Sequence, residues 1–379
     1  MTEGNNNEIP TVGLVLGTRP EIIKLAPVIR ECESRDHSYT IIHTGQHYSE
    51  NLDSVFFEQL ELPDPDYNLQ VGSQSHGKQT GEMIEKIESI VVDEAIDVVL
   101  VQGDTNTVLA GAIAVSKLDT ELGHVEAGLR SFNREMPEET NRVLTDHASD
   151  YLFAPTQQSR ELLQDEGLRD ERIFVTGNTI VDAVRENQAL AEQKSNVLET
   201  LGLRSDEFAL MTAHRAENVD HPERFKGLLD SVAVVAREYN LEAVYSMHPR
   251  SRERLDEFGL SVPPEITVIE PQDYLDFLRL ETAARLILTD SGGVQEEACI
   301  LQVPCVTLRE ETERPETVSV GANRVAGLDP DGILTSARKM LDRDSEWANP
   351  FGNGRAAEQI IDIVRGKTPS RDKTPRRVE

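Results

Sequence analysis

Short apolar runs alternate with segments of helical periodicity along most of the chain. TVGLVLG (11–17), YTIIHTG (39–45), IDVVLVQGD (96–104), LGHVEA (122–127) and DYLFAP (150–155) read as strands bounded by turn residues. Between them, EIIKLAPVIRECES (21–34), GKQTGEMIEKIESIVVDE (77–94), TVLAGAIAVSKL (107–118) and PEETNRVLTDHAS (137–149) carry apolar residues at helical spacing. TGNTIVDAVREN (176–187) reads as a joint, after which the pattern restarts with the strands EFALMTAH, LEAVYSM, ITVIEP, RLILTD and PCVTL. The helices of this second half are HPERFKGLLDSVAVVAREY, YLDFLRLETAA and GGVQEEACILQ, and AAEQIIDIVRG (356–366) is the last. Strand and helix in alternation predict βαβ units on parallel sheets, hence an α/β chain of two doubly wound domains with a central cleft. Boundaries are expected at residues 1–178 and 179–354, with a disordered Pro- and charge-rich tail over 367–379.

Composition narrows the class. At 379 residues there is room for two such domains. A net charge of -30, from 68 acidic and 38 basic residues, excludes a nucleic-acid binder, which needs a basic face for phosphates. With 38% hydrophobic residues the chain is not a disordered polyanion. An acid-rich surface suits high salt, where the Debye length falls to ~3 Å, so a halophilic source is expected. No stretch approaches the about 18 apolar residues of a membrane span. The start MTEGNNNEIP lacks the basic and apolar regions of a signal peptide, so a cytoplasmic enzyme is expected. Cys32, Cys299 and Cys305 form no CxxC pair and read as buried structural thiols, with neither zinc nor disulfide indicated.

Charged residues gather where strands end. In GTRPEIIKLAPV, Arg19 precedes Pro20 at a helix start, where free amides attract phosphate, and Lys24 lies about one turn on. Two solvated bases on a capped helix would look the same. Asp104 follows a buried strand and is either a site carboxylate or an N-cap, a role Thr105 or Thr107 can also fill. Glu126, near Gly128 and Arg130, is expected outside the core, with an Arg–Glu pair as the competing reading. Glu138 and Glu139 both fit a first helical turn, and spacing does not choose between them. His214 and Arg215 follow the first strand of the second half, and His248 in SMHPR is a weaker parallel. In DSGGVQEEA, Ser291, Gly292 and Gly293 open a helix. Glycine there lets a diphosphate approach the helix amides, and Glu297 stands one turn in, within reach of ribose hydroxyls. The pattern is neither GxxxxGK[ST] nor GxGxxG, which excludes a P-loop and weakens NAD binding. Arg309 and Arg314 are further candidate phosphate ligands.

The ordered set GTRPEIIKLAPV, TGQHY, QGDTNT, HVEAGLR, PEETNR, TGNTIVD, TAHRAEN, PQDYLDF, DSGGVQEEA and TERPET resembles the non-hydrolysing UDP-N-acetylglucosamine 2-epimerases over roughly residues 12–325. That resemblance implies two Rossmann-like halves in a glycosyltransferase-B-like fold, the second binding UDP. It implies a final helix, about 355–366, packing back on the first half, and a homodimer working without NAD, metal or other cofactor. By the same resemblance Asp104, Glu126, Glu138 and His214 are catalytic. Arg19, Lys24, Ser291, Gly292, Gly293, Glu297 and Arg314 bind diphosphate and ribose, and Gln272 and Phe277 the uracil. Gln46, Gln79, Arg215 and His248 sit where bacterial members bind an activating UDP-sugar. YNLQVGSQSHGKQTG departs from the shorter bacterial pattern there.

The chemistry explains the residue types. The proton on carbon two of the sugar is not beside a carbonyl, so a base cannot simply exchange it. Elimination of UDP to a 2-acetamidoglucal, then re-addition, is the feasible route. Cations and a helix start suit the departing diphosphate. Carboxylates suit proton transfer on two ring faces, with at least one expected to have a raised pKa. A hydrolysing relative, an epimerase of UDP-2,3-diacetamido-glucuronic acid, a glycosyltransferase of this fold and a non-catalytic sugar-nucleotide sensor are the alternatives. Gly72–His76 is the stretch that points toward the diacetamido sugar.

Overall fold

A computed structural model describes residues 9–46, 50–343 and 346–366, so the expectation for the tail lies outside the described residues. These form two compact units. One comprises the described residues up to Ala183 together with those from Phe351 on, and the other is Val184–Pro350.

The first unit holds β1 (Val12–Leu16), β2 (Tyr39–His43), β3 (Tyr67–Asn68), β4 (Val98–Gln102), β5 (Glu121–Val125), β6 (Tyr151–Ala154) and β7 (Ile173–Val175). They pair in parallel in the order β3-β2-β1-β4-β5-β6-β7. Every residue of β1, β4 and β5 is buried, and β1 and β4 accordingly read as near-continuous apolar runs rather than alternation: helices cover both faces. The helix Asn106–Val115 packs between the sheet and neighbouring helices and is apolar nearly all round. The last helix, Ala356–Gly366, lies on the helix Arg19–Ser34, with Arg35 paired to Asp362 at 2.5 Å.

The second unit repeats the plan with β8 (Phe208–Thr212), β9 (Glu242–Ser246), β10 (Ile266–Ile269), β11 (Leu286–Thr289), β12 (Cys305–Thr307) and β13 (Asn323–Val325). Their order is β10-β9-β8-β11-β12-β13, again all parallel. Its core packs Phe208, Leu210 and Ile287 on one side of the sheet and Met211, Tyr245 and Leu288 on the other.

The expected strands and helices form. The elements beyond those expectations are short edge strands (β3, β7 and β13) and helices such as Gln157–Asp165, Pro249–Phe258 and Pro330–Leu341. Strands of two or three residues offer too few positions to show a period. All three cysteines are buried and free, and burial pushes the thiols of Cys32 and Cys299 up to about 12. Among the described residues no helix is long and apolar enough to cross a membrane.

In each unit the strand order reverses at one point, between β1 and β4 in the first and between β8 and β11 in the second. Ligands of doubly wound sheets bind beyond the carboxyl ends of strands at such switch points.

Candidate active site

In the first unit, the turns after β1 and β4 lie side by side. Gly17 must be glycine: a Cβ there would lie 1.9 Å from Thr44 Oγ1 and 2.5 Å from Thr107 Oγ1. The helix starting at Arg19 has Pro20 in its first turn. Its Glu21 reaches back to accept from the amides of Gly17 (2.6 Å) and Thr18 (2.9 Å), and its other oxygen is hydrogen-bonded to the Thr105 hydroxyl. One carboxyl thus ties the two turns together. Burial pushes its pKa up to about 7, against the lowering effect of those bonds.

Thr105 is the N-cap after β4, accepting from Val108 N at 3.4 Å, which leaves Asp104 for other work. The Asp104 carboxylate is held by the Arg142 guanidinium at 2.9 and 2.7 Å. Its carbonyl accepts from Asn141 Nδ2 at 2.8 Å. A cavity of about 590 Å³ opens here, lined by Arg19, Gln46, His76, Asp104, Asn106 and Glu138 among others. The two neighbouring glutamates separate. Glu138 lines the cavity. Glu139 accepts from the amides of Ser131 and Phe132 (both 2.9 Å) and from Arg142 (2.6 Å). Burial opposes its charge, but those bonds outweigh it and hold the carboxyl below its ordinary value.

Glu126 corrects an expectation. It is buried, at 7% exposure, in a left-handed conformation (φ +74°) just beyond β5. It accepts from Lys24 Nζ (2.7 and 3.0 Å), Gln102 Nε2 (2.5 Å) and Asn178 Nδ2 (2.9 Å). Its ion partner is therefore Lys24 and not Arg130, which binds Asp146 and Glu166 instead (each 2.7 Å). The sequence placed it near the surface because a lone carboxylate cannot be buried; four donor contacts from distant segments remove that cost. Gln46 Oε1 accepts from Thr107 N and Oγ1 (3.2 and 2.8 Å), and Gln79 Nε2 donates to the carbonyls of Gln46 and Gly72 (3.1 and 2.8 Å).

In the second unit, Asp290 at the end of β11 is fully buried and organises the turn after β8. Its Oδ2 accepts from the amides of His214 (2.8 Å) and Arg215 (2.9 Å) and from Asn218 Nδ2 (2.9 Å). His214 Nδ1 lies 3.1 Å from Oδ1, and Arg215 Nε donates to the Asp290 carbonyl at 3.0 Å. Burial opposes its charge, but His214, Arg215 and Asn218 together hold its carboxyl below the ordinary value. The His248 ring is 5.5 Å from that of His214 and caps the helix Pro249–Phe258; burial and then the His214 charge lower its pKa.

The helix Gly292–Ile300 starts bare. A Cβ on Gly292 would meet nothing within 4 Å, and one on Gly293 would touch Ser291 Oγ at 4.0 Å. Glu297, one turn in, and Glu281 are buried against the half-buried Tyr274. Burial and the Glu297 charge push Glu281 well above its ordinary value. Arg314 pairs with Glu296 at 2.6 Å. Arg309 is not a free phosphate ligand: it is 5% exposed and committed to Glu313 (2.7 Å) and Glu217 (3.1 Å), contrary to expectation. Gln272 donates to the Glu270 carbonyl at 2.7 Å, and Phe277 packs, partly buried, against the core of the second unit.

Sequence reasoning missed Glu21, Gln102, Arg142 and Asn178. Only Glu21 carried a local signal, the three-residue spacing from Thr18 typical of a reciprocal helix cap. Glu21, whose carboxyl burial raises to about 7, is bonded to the cavity-lining Gly17, Thr18 and Thr105. Among the described residues no group of three or more His, Cys, Asp or Glu side chains is placed to hold a metal ion.

Comparison with known proteins gives the family. The family profile described as UDP-N-acetylglucosamine 2-epimerase matches residues 30–365. The UDP-N-acetylglucosamine 2-epimerase of Methanocaldococcus jannaschii is 53% identical over 93% of this chain and 98% of its own length. The crystal structure of the UDP-GlcNAc 2-epimerase from that organism, in complex with UDP-GlcNAc and UDP, superposes with a TM-score of 0.83 at 53% identity, covering 94% of this chain and 100% of that one. A UDP-2,3-diacetamido-2,3-dideoxy-D-glucuronate 2-epimerase of Pseudomonas aeruginosa is 40% identical over 92% of this chain and 98% of its own. With its two parallel sheets in the glycosyltransferase-B-like class, this chain belongs to the UDP-N-acetylglucosamine 2-epimerase family.

Proposed function

We propose that the chain interconverts UDP-N-acetylglucosamine and UDP-N-acetylmannosamine. The observation that carries this is the cavity at the β1/β4 switch point, where Arg19, Asp104 and Glu138 meet, in a chain 53% identical to such an epimerase. Asp104 takes the proton from carbon two while the bond from carbon one to the UDP oxygen breaks and its electron pair leaves with UDP. The ring becomes the 2-acetamidoglucal. UDP then re-adds at carbon one, and Glu138 delivers a proton to the opposite face of carbon two. Glu126 is saturated with donors and acts by orienting Lys24.

The nucleotide is assigned to the second unit. The open start of the helix Gly292–Ile300 takes the diphosphate, aided by His214 and Arg314. Glu297 takes the ribose, and Gln272 and Phe277 the uracil. Working as a cytoplasmic homodimer, the enzyme has a surface suited to molar salt, as its 68 acidic against 38 basic residues imply. Light scattering and a salt titration check these two features: a monomer, or activity that falls steadily from low to molar salt, speaks against them.

The test of the reaction is incubation with UDP-N-acetylglucosamine in D2O at high salt, followed by NMR. Deuterium at carbon two in a mixture of two UDP-sugars is expected. An untouched hydrogen points to glycosyl transfer, and free sugar plus UDP to a hydrolysing relative. Turnover confined to the 2,3-diacetamido uronate substrate identifies that relative instead.

A further inference from the structure

We infer that His124 is a positioning residue for Asp104, a buried imidazolium that grips the carbonyl of Gly103; the inference rests on Asp104 being the base of the epimerase reaction. His124 lies in β5 and is 1% exposed. Its Nδ1 is 2.6 Å from Asp146 Oδ1, and its Nε2 is 2.8 Å from the Gly103 carbonyl. Asp146 is fully buried, and its other oxygen takes the Gly128 amide at 3.2 Å and the Arg130 guanidinium at 2.7 Å. Burial opposes the charge of Asp146, but His124 and Arg130 outweigh it, so the carboxyl sits below its ordinary value.

An ionised carboxylate and a peptide carbonyl have no proton to give. Both ring nitrogens of His124 therefore face acceptors, and only the doubly protonated ring can satisfy both. The charges around it balance. Asp146 faces it from the helix Pro137–Ala148, and Arg130 from the loop after β5 is itself held by Glu166 at 2.7 Å. A neutral ring would donate to only one of these two acceptors.

The grip falls where it matters for catalysis. Gly103 has φ +86°, and its carbonyl belongs to the peptide joining it to Asp104. The next carbonyl, that of Asp104, is held by Asn141, and the carboxylate by Arg142. Both peptides flanking the base are thus clamped, one from β5 and one from the helix Pro137–Ala148. A base displaced by about 1 Å loses on the order of 10²-fold in rate.

Two substitutions separate the ends of the ring. His124→Asn keeps a donor near the Nδ1 position and loses the Gly103 carbonyl, whereas His124→Gln keeps the reach of Nε2. With UDP-N-acetylglucosamine, His124→Asn is expected to lower kcat about 10²-fold with KM within about threefold, and His124→Gln to retain about a tenth of kcat or more. Equal losses in both variants, or a loss confined to KM, overturn the proposal. Because removing a buried cation can unfold the unit, a second measurement uses the unchanged protein. NMR of 15N-histidine-labelled enzyme, without substrate, is expected to show a proton on each of the two His124 nitrogens, as the two acceptors facing them require. A neutral tautomer overturns the proposal. The unchanged enzyme failing to exchange carbon-two hydrogen in D2O would sink the epimerase reading instead, whatever the ring resonances show.

Discussion

The strand ends of the two units solve opposite problems. At the β1/β4 point nearly every acid is already met by donors: Glu126 by three side chains, Glu139 by two amides and Arg142, Asp104 by Arg142. At the β8/β11 point one acid, Asp290, is spent on the turn it supports, and the helix after it begins with two glycines facing open space. Proton transfer needs carboxylates fixed in place and in protonation state, which dense pairing supplies. Anion binding needs backbone amides that nothing else occupies.

The contrast can be broken most sharply at Asp104. Asp104→Asn is expected to lower kcat about 10³-fold while leaving UDP affinity, measured calorimetrically, nearly unchanged. Equal losses in both would make Asp104 a binding group and erase the division of labour.

Glu21→Gln comes next. The Glu21 carboxyl rises from 4.5 to about 7 in the fold, so the folded state favours its protonated form. The stability this group contributes is full below about pH 4.5 and is lost as pH rises through about 7. Glutamine mimics the protonated acid: its amide donates to Thr105, and its oxygen accepts from Gly17 and Thr18. Relative to the unchanged protein, the variant should gain up to about 3 kcal/mol at pH 8 and almost nothing at pH 4. Thermal melts at the two pH values that show the same difference would refute the buried, proton-sharing role.

Glu139→Gln should cost about 2 kcal/mol of stability, because the Ser131 and Phe132 amides and Arg142 lose a charged acceptor. Glu138→Gln should leave Tm in place and lower kcat. Melting curves and kinetics with the pattern reversed would exchange the two roles. The smallest effect belongs to the second unit. Gly292→Ala should weaken UDP binding by about tenfold, roughly 1.4 kcal/mol. Its Cβ meets no protein atom, so Tm should hold or rise, by up to about 1 kcal/mol of stability. Unchanged UDP affinity in that variant would move the diphosphate elsewhere.

How much of this was legible beforehand follows from residue spacing. The strand–turn–helix units after β1, β4, β8 and β11 are local, and their Gly, Pro, Thr and Asp signals lie within a few residues. Thr105 as the cap was among the local alternatives for the same reason. Glu126, by contrast, depends on Lys24 and Asn178, which lie 102 and 52 residues away along the chain. Arg309 read as a free cation although one partner, Glu313, lies four residues on; the other, Glu217, is 92 residues away and gives no sign of itself in the sequence.

By itself the sequence determined the alternating elements, the parallel sheets and the ordered motifs that mark the family, since period, caps and glycines act over short range. Only the tertiary structure decided which charges are spent and which are open. Pairing between separate strand ends depends on strand order: β4 beside β1 and β5 brings Glu21 to Thr105, 84 residues away, and His124 to the Gly103 carbonyl, 21 residues away. Burial then sets the energy of each charge, and burial is a property of the packed chain.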